Sequence, residues 1–527
     1  MVIIRQRTEV PWILPLGSAE NNLAAAGGKG ANLARMVRAG LPVPGGFVVT
    51  TAAYGAYVEA NPGLAETIRS AVEGLAADDP AGLEAASKRI RAGFATGSLP
   101  PGLEEALQRA YDDLGRPPVA VRSSATAEDL PGLSFAGQQD TFLNVTGEEA
   151  LLQAVVRCWS SLWTARAIGY RQRQAIGQAG LALAVVVQEM VAAEAAGVLF
   201  TANPLNGKRT EMAVEATLGL GEALVSGRVE PDRYRLEAAS GRVLEYSLGG
   251  KRLSIRSRTG GGTVEQAEEG AADRSALPDA ALAELAGHGR RLAELLGGPQ
   301  DVEWAWAGGQ IYLLQSRPIT ALYPVPEGLG PRPLHVLFSF GAVQGILTPI
   351  TPLGRSTAGA IFAGAGRLFG YHLTAETQRA VHTAGERLFI DFTGLARHRS
   401  LRRLLRGAMP LIDPGVAAAL ETLWDDPRLA PREGFGFQTL RRLLPFLASI
   451  LPRFLPSLIW PEAQRRHFQA QLNEEAATIE ARVAAAETLA ERVTLARQSM
   501  VGAFAFLLPR FVPRFAAAMG PLTLLTR

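Results

Sequence analysis

The chain has 527 residues, too many for one ordinary core, so two to four packed units are expected at roughly 100 to 200 residues per domain. Hydrophobic residues make up 47% and charged residues 20%, which excludes a disordered chain. The 53 basic and 50 acidic residues nearly cancel to a formal charge of +3, so no strong overall field draws nucleic acid or a membrane surface.

Taken in chain order, Gly27-Gly-Lys-Gly30 stands before a helical pattern that puts Leu33, Met36 and Val37 on one stripe. A helix N-terminus there, with Lys29 as a point charge, has the equipment to hold an anion. The segment lacks P-loop spacing, and taken alone such a run is more often a turn. Gly46-Phe-Val-Val-Thr50 and Val119-Ala-Val121 read as short strands. The second ends in Val121-Arg-Ser-Ser-Ala125, where Arg122 offers planar, bidentate donors for phosphate oxygens. An ion pair of Arg122 with Glu128 or Asp129 is an equal reading. In Gly137-Gln-Gln-Asp-Thr141, Gly137 permits close backbone approach and Thr141 offers a hydroxyl, though a turn into a strand fits equally.

Residues 148–173 form one long helical pattern, and Val185-Val-Val-Gln-Glu-Met-Val191 reads as a buried strand. Gln188 and Glu189 interrupt it and need partners, either an adenine or an internal hydrogen-bond network. Gly197-Val-Leu-Phe-Thr201 is a further strand, residues 256–277 a surface loop, and residues 279–296 a helix. Asp301-Val-Glu-Trp304 and Leu313-Leu-Gln-Ser-Arg-Pro318 flank Gly308-Gly309 as a hairpin. Glu303 and Gln315 then lie on neighbouring strands, and their oxygens suit Mg²⁺; Arg317 shares the Gln315 face. The proline-rich passage 323–334 reads as a linker between a domain at 1–322 and a mostly helical one at 335–527.

Cys158 is the only cysteine, so no disulfide framework can form and a reducing, cytoplasmic setting is expected. Residues 1–15 lack the apolar core of a signal peptide. The apolar stretches 443–460 and 501–525 are interrupted by Pro452, Arg453, Pro509, Arg510 and Arg514, so they read as buried helices and not as membrane spans.

Together these segments resemble the ATP-grasp domain of the phosphoenolpyruvate synthase and pyruvate phosphate dikinase family over residues 17–320. Gly197-Val-Leu-Phe-Thr-Ala-Asn-Pro204, Gly219-Leu-Gly-Glu-Ala-Leu-Val-Ser-Gly227 and Leu314-Gln-Ser-Arg-Pro-Ile319 also carry the resemblance. It implies an α/β ATP-grasp fold in two subdomains that binds ATP and Mg²⁺. By the resemblance Lys29 and Arg122 bind phosphate, Gly137 and Thr141 line the nucleotide, and Gln188 and Glu189 sit by the adenine. Glu303 and Gln315 hold Mg²⁺, with Arg317 beside them. Lys29, Arg122 and Arg317 are the expected catalytic set, acting by positioning and charge neutralisation.

Leu337-Phe-Ser-Phe-Gly341, Thr348-Pro-Ile-Thr-Pro-Leu-Gly354 and Arg387-Leu-Phe-Ile-Asp-Phe-Thr393 resemble the rifamycin phosphotransferase layout, in which a helical acceptor domain follows. A dikinase-type phosphotransferase acting on a rifamycin-like acceptor is therefore expected, with a pyruvate-directed synthase and a non-catalytic nucleotide-binding regulator as alternatives. The family's phosphohistidine has no counterpart among His288, His335, His372, His382, His398 and His467. The resemblance thus implies a helical domain cut short, a histidine domain on a separate chain or on a missing segment, and self-association through the uncovered helices.

Overall fold

The computed structural model describes residues 10–125, 140–173, 181–329, 333–339, 341, 349–369, 371–430 and 437–525. Its contacts divide the chain into two compact units, Met1–Tyr323 and Pro324–Arg527.

Among its described residues the first unit holds two large antiparallel sheets and one two-stranded hairpin sheet. One runs β1-β2-β5-β3-β4, from β1 (Ile13–Pro15), β2 (Gly46–Val49), β3 (Val119–Ala125), β4 (Thr141–Val145) and β5 (Leu183–Glu189). The other runs β13-β12-β6-β7-β8-β9, from β6 (Ala195–Phe200), β7 (Glu211–Leu218), β8 (Asp232–Glu237), β9 (Val243–Ser247), β12 (Gln300–Ala307) and β13 (Gln310–Pro318).

Strand alternation sorts the side chains of the first sheet. Val119 and Val121 of β3, with Leu183, Val185 and Val187 of β5, join a core with Tyr57, Ile90, Phe94, Leu107 and Trp159 from the helices on that face. Burying each such side chain contributes about 1.5–3 kcal/mol. The opposite face carries Ala184 and Val186 into a second core. That core is shared with Leu33 and Met36 of α1 (Leu23–Arg38), with Leu282 and Leu285 of the helix Asp279–Leu296, and with Val302 and Trp304 of the second sheet. The residues of β3 and β5 next in register on this second face are Arg122 and Gln188, so alternation alone aims them toward the other sheet.

One local expectation is refined and two need correction. The glycine run does open a helix, but from inside a longer helical stretch: a turn capped by Asn22 starts at Leu23, the backbone leaves helical geometry at Gly27 (φ 65°, ψ 179°), and α1 resumes within the run and continues to Arg38. A Cβ on Gly27 would sit 2.2 Å from the Ser124 carbonyl oxygen, so the glycine is required where helix and β3 touch. Residues 256–277 are not a plain loop but include the hairpin β10 (Leu253–Ser257) and β11 (Thr263–Ala267), turned by Gly260, Gly261 and Gly262, all at positive φ. Strand β11 is largely exposed, so no apolar alternation marked it. The pattern over residues 148–173 is two helices, Glu148–Ser161 and Ala165–Arg173.

The second unit has a three-stranded sheet, β14 (Leu337–Ser339), β16 (Arg387–Asp391) and β15 (Val381–Ala384) in that order, and is otherwise helical. Its core includes Val336, Met409, Leu420, Trp424 and Leu429. The apolar stretches expected to be buried are helices Phe437–Ile459 and Leu489–Leu525, but Leu451 is 70% exposed and Trp460 61%. Both helices run through their prolines. Arg453, Arg510 and Arg514, each directly after a proline, donate to the carbonyls of Ser449, Phe506 and Arg510. These side chains supply donors in turns where proline lacks one. Among the described residues one helix, Leu489–Ala518, is long and apolar enough to cross a membrane by length and composition alone.

Candidate functional site

A cavity of about 270 Å³ opens between the two sheets of the first unit. The first sheet supplies Arg122, Thr141, Gln188 and Glu189; the second supplies Gly197, Glu303, Trp304 and Gln315. Leu220, Glu222 and Val225 complete a third wall.

Arg122 and Thr141 are register partners on β3 and β4, so their side chains share a face. Gln188 lies opposite Ala120 on β5, also on that face. Glu303 and Gln315 are direct partners across β12 and β13, joined by the expected two-glycine turn with Gly308 and Gly309 at positive φ. Next to this pair the register slips: Trp304 pairs with Leu313, which leaves Leu314 as a bulge.

The Leu314 carbonyl accepts from Arg122 Nη1 at 3.3 Å, and the Glu303 carboxylate stands 3.3 Å from the same nitrogen. Arg122 is thus shared between a bulge and a carboxylate of the opposing sheet. The alternative partners Glu128 and Asp129 lie outside the described residues, as does Gly137.

Gln188 is 2% exposed, and its Nε2 has no hydrogen-bond partner among the described residues. A buried amide left so costs roughly 1–3 kcal/mol, which a ligand acceptor would relieve. Glu189 does not fit the same argument. It ends β5 and is exposed, so its carboxylate needs no partner, although it borders the cavity.

Lys29 and Arg317 stand apart from the cavity lining. Arg317 donates from Nε and Nη2 to Asp301 Oδ2, both at 2.8 Å. Burial raises the Asp301 carboxyl above its ordinary range, and the Arg317 charge only partly offsets this. Asp301 was given no role in the sequence reading, although the hairpin register that pairs Glu303 with Gln315 also sets Asp301 opposite Arg317. Within the glycine run, the Gly30 amide donates to Ser124 Oγ at 3.1 Å, and that hydroxyl donates to the Ala26 carbonyl at 2.6 Å. Ser124 therefore ties the kinked helix to β3.

Among the described residues no three His, Cys, Asp or Glu side chains converge on a metal position. The Glu303 carboxylate and the Gln315 amide oxygen are hard donors suited to Mg²⁺, with phosphate oxygens and water left to complete the shell. The Asn203 side chain accepts from the Leu205 amide at 3.0 Å and donates to buried Glu211, so that motif serves the turn between β6 and β7.

Residues 23–325 match the model of the pyruvate phosphate dikinase AMP/ATP-binding domain. The chain is 40% identical over 415 residues to rifampicin phosphotransferase of Streptomyces sviceus, covering 78% of this chain and 46% of that protein. It is 37% identical over 377 residues to rifampicin phosphotransferase of Bacillus subtilis, covering 69% and 43%. It is 38% identical over 359 residues to phosphoenolpyruvate synthase of Pyrococcus furiosus, covering 59% and 44%. The chain thus spans less than half the length of these relatives.

Proposed function

The chain belongs to the family of the pyruvate phosphate dikinase AMP/ATP-binding domain, and from that premise we propose that its first unit is an ATP-grasp module that binds Mg²⁺-ATP in the cavity between the two sheets. The orphaned Gln188 amide, buried in the cavity that also holds the Arg122–Glu303 pair, carries this reading. One end of the cavity offers an amide to a base, and the other offers charge to phosphates and a cation.

In this reading Gln188 contacts the adenine, Glu189 borders it, and Thr141 lies along the nucleotide with Gly137. Arg122 grips phosphate oxygens, and Lys29 and Arg317 reach them from outside the cavity lining. Glu303 and Gln315 hold Mg²⁺, which neutralises charge on the phosphates. Glu303 would hold the cation and Arg122 the phosphate oxygens, so the two charges already paired across the cavity stand where a cation and an anion would each find an opposite charge. The protein's part is positioning and charge stabilisation of phosphoryl transfer.

The β-phosphoryl group then passes to a histidine on another chain or on a segment outside this one, and from there to a small-molecule acceptor. The domains are residues 1–322, a linker at 323–334, and a helical acceptor-type domain at 335–527. The rifamycin-type acceptor is preferred over pyruvate because the match to the Streptomyces sviceus protein extends over more of the chain than the match to the Pyrococcus furiosus protein. The module works in the cytoplasm, where ATP and Mg²⁺ are supplied.

Calorimetry with ATP and Mg²⁺, followed by incubation with a separate histidine domain and labelled ATP, tests the proposal. Label on the histidine together with AMP release is expected. Binding without AMP would replace the enzyme by a nucleotide-binding regulator, and absence of binding would remove the nucleotide site itself.

A further inference from the structure

Thr141, Leu143 and Glu222 line the cavity between the sheets, and the same three residues line a second, more open hollow of about 430 Å³. They form the neck between the two. The rest of the hollow is walled by Asn144 and Thr146, by Gln153 and Arg157 of the helix Glu148–Ser161, and by the glycine turn 260–262 of the β10–β11 hairpin. Asn144, 3% exposed and at φ 54°, fastens that turn to the first sheet. Its Nδ2 donates to the carbonyls of Arg258 at 2.8 Å and Gly262 at 2.6 Å, and its own carbonyl accepts from the Gly262 amide at 3.0 Å. A Cβ on Gly261 would stand 2.9 Å from Thr146 Oγ1, so only glycine lets the turn lie this close.

Two guanidinium groups border the hollow. The Arg157 guanidinium lies 4.2 Å from the centre of the Phe142 ring, which covers one of its faces and leaves the in-plane N–H groups for a ligand. Among the described residues that side chain has no hydrogen bond and no ion pair. Arg258 Nε donates to the Gly261 carbonyl at 3.2 Å, and no carboxylate of the described residues pairs with it. The acidic groups nearby are engaged elsewhere. Glu222 stands at the neck and accepts from the Thr263 hydroxyl at 3.5 Å, and Glu149 accepts from Gln153 at 3.2 Å. Glu148 is held by Gln108 and Arg116, Glu265 by Arg228, and Asp140 by Arg91. A phosphate at Arg157 gains paired, charge-assisted hydrogen bonds from a group that has no acidic partner of its own.

We propose that this hollow is a subsite for a second phosphate, carried on the 2′- or 3′-oxygen of an adenine nucleotide bound in the neighbouring cavity, with Arg157 as its fork and Arg258 at its rim. The inference rests on the nucleotide reading of that cavity. With the base at Gln188 and the 5′-phosphates at Arg122, the ribose lies between them beside Thr141, and Thr141 belongs to the neck. A substituent on a ribose hydroxyl then has the hollow to enter.

Calorimetry on the full chain tests it, with ATP first and then AMP, adenosine 2′,5′-bisphosphate and adenosine 3′,5′-bisphosphate. One of the bisphosphates is expected to bind at least about tenfold more tightly than AMP, and the ratio to fall to about one in R157A. R157K, which keeps the charge and loses the fork, should restore only part of the ratio. Circular dichroism checks the fold; if R157A loses it, R258A in the exposed turn carries the same comparison and should lower the ratio. ATP binding with equal affinity for AMP and both bisphosphates overturns the subsite and leaves the nucleotide site standing. Absence of ATP binding removes the nucleotide reading and the subsite with it. A ratio that R157A and R258A both leave intact places the added phosphate elsewhere and overturns the proposal. Inorganic phosphate that binds the AMP complex and is lost in R157A, with no advantage for either bisphosphate, assigns the hollow to free phosphate instead.

Discussion

The Arg122 guanidinium, on the first sheet, meets the Glu303 carboxylate, on the second, at 3.3 Å, with 12% and 31% of the two side chains exposed. The pair is sheltered enough for its charges to matter and open enough for a phosphate or a cation to enter between them. Glu303→Gln keeps the side-chain volume and removes the charge. The Mg²⁺-dependent part of ATP affinity should fall about 10- to 100-fold, the equivalent of one charge-assisted contact at about 1.5–3 kcal/mol. Adenosine affinity should stay unchanged. Calorimetry with and without Mg²⁺ measures this, and an intact Mg²⁺ dependence would refute the metal assignment.

Gln188→Leu separates stability from binding. Replacing an unsatisfied buried amide by an apolar side chain of similar size should raise the melting temperature of the ligand-free chain and weaken adenosine binding. If Gln188 belonged to an internal network, the melting temperature would fall instead. Differential scanning fluorimetry and an adenosine titration distinguish the two.

Gly27→Ala should destabilise the first unit by about 3 kcal/mol or more, through strain at positive φ together with collision against the Ser124 backbone. Gly40, also at positive φ but with open space around its Cβ position, is the matched control. Gly40→Ala should cost only about 1 kcal/mol. Equal losses in denaturant titrations would show that packing against β3 is not what requires glycine at position 27.

The Lys208 ammonium at 2.9 Å, together with Asn206 and Arg235, holds the Glu211 carboxyl down at about 2. A depressed folded-state pKa gives stability that is full above the unfolded carboxylate range and is lost as pH falls toward about 2. Melting temperatures of the parent chain and of Glu211→Gln should therefore differ most at neutral pH and converge between about pH 4.5 and 2. A difference that does not change with pH would mean that the ionised Glu211 contributes nothing through its charge.

The hairpin around Gly308-Gly309, the helix Asp279–Leu296 and the polar pair ending β5 were legible because each is a local pattern: a two-glycine turn, a helical period, a break in an apolar run. The same reasoning overreached where a pattern was taken as proof of burial. Glu189 is exposed because β5 ends there, and the leucines of Phe437–Ile459 are exposed because the described residues leave that face uncovered. The pairing of Asp301 with Arg317 could have been read from the same hairpin register that joins Glu303 to Gln315; only the burial of Asp301 needed the tertiary structure.

The sequence by itself determined which residues can do chemistry and which face of a strand each occupies, since side-chain type and the two-residue period are properties of the chain alone. Only the tertiary structure decided which of them meet. The Leu314 bulge turns a carbonyl toward Arg122, Ser124 takes the Gly30 amide, and Glu303 reaches Arg122 from the other sheet. Those contacts depend on register and on how the two sheets face across a shared core, and both are set by long-range packing that no local period encodes.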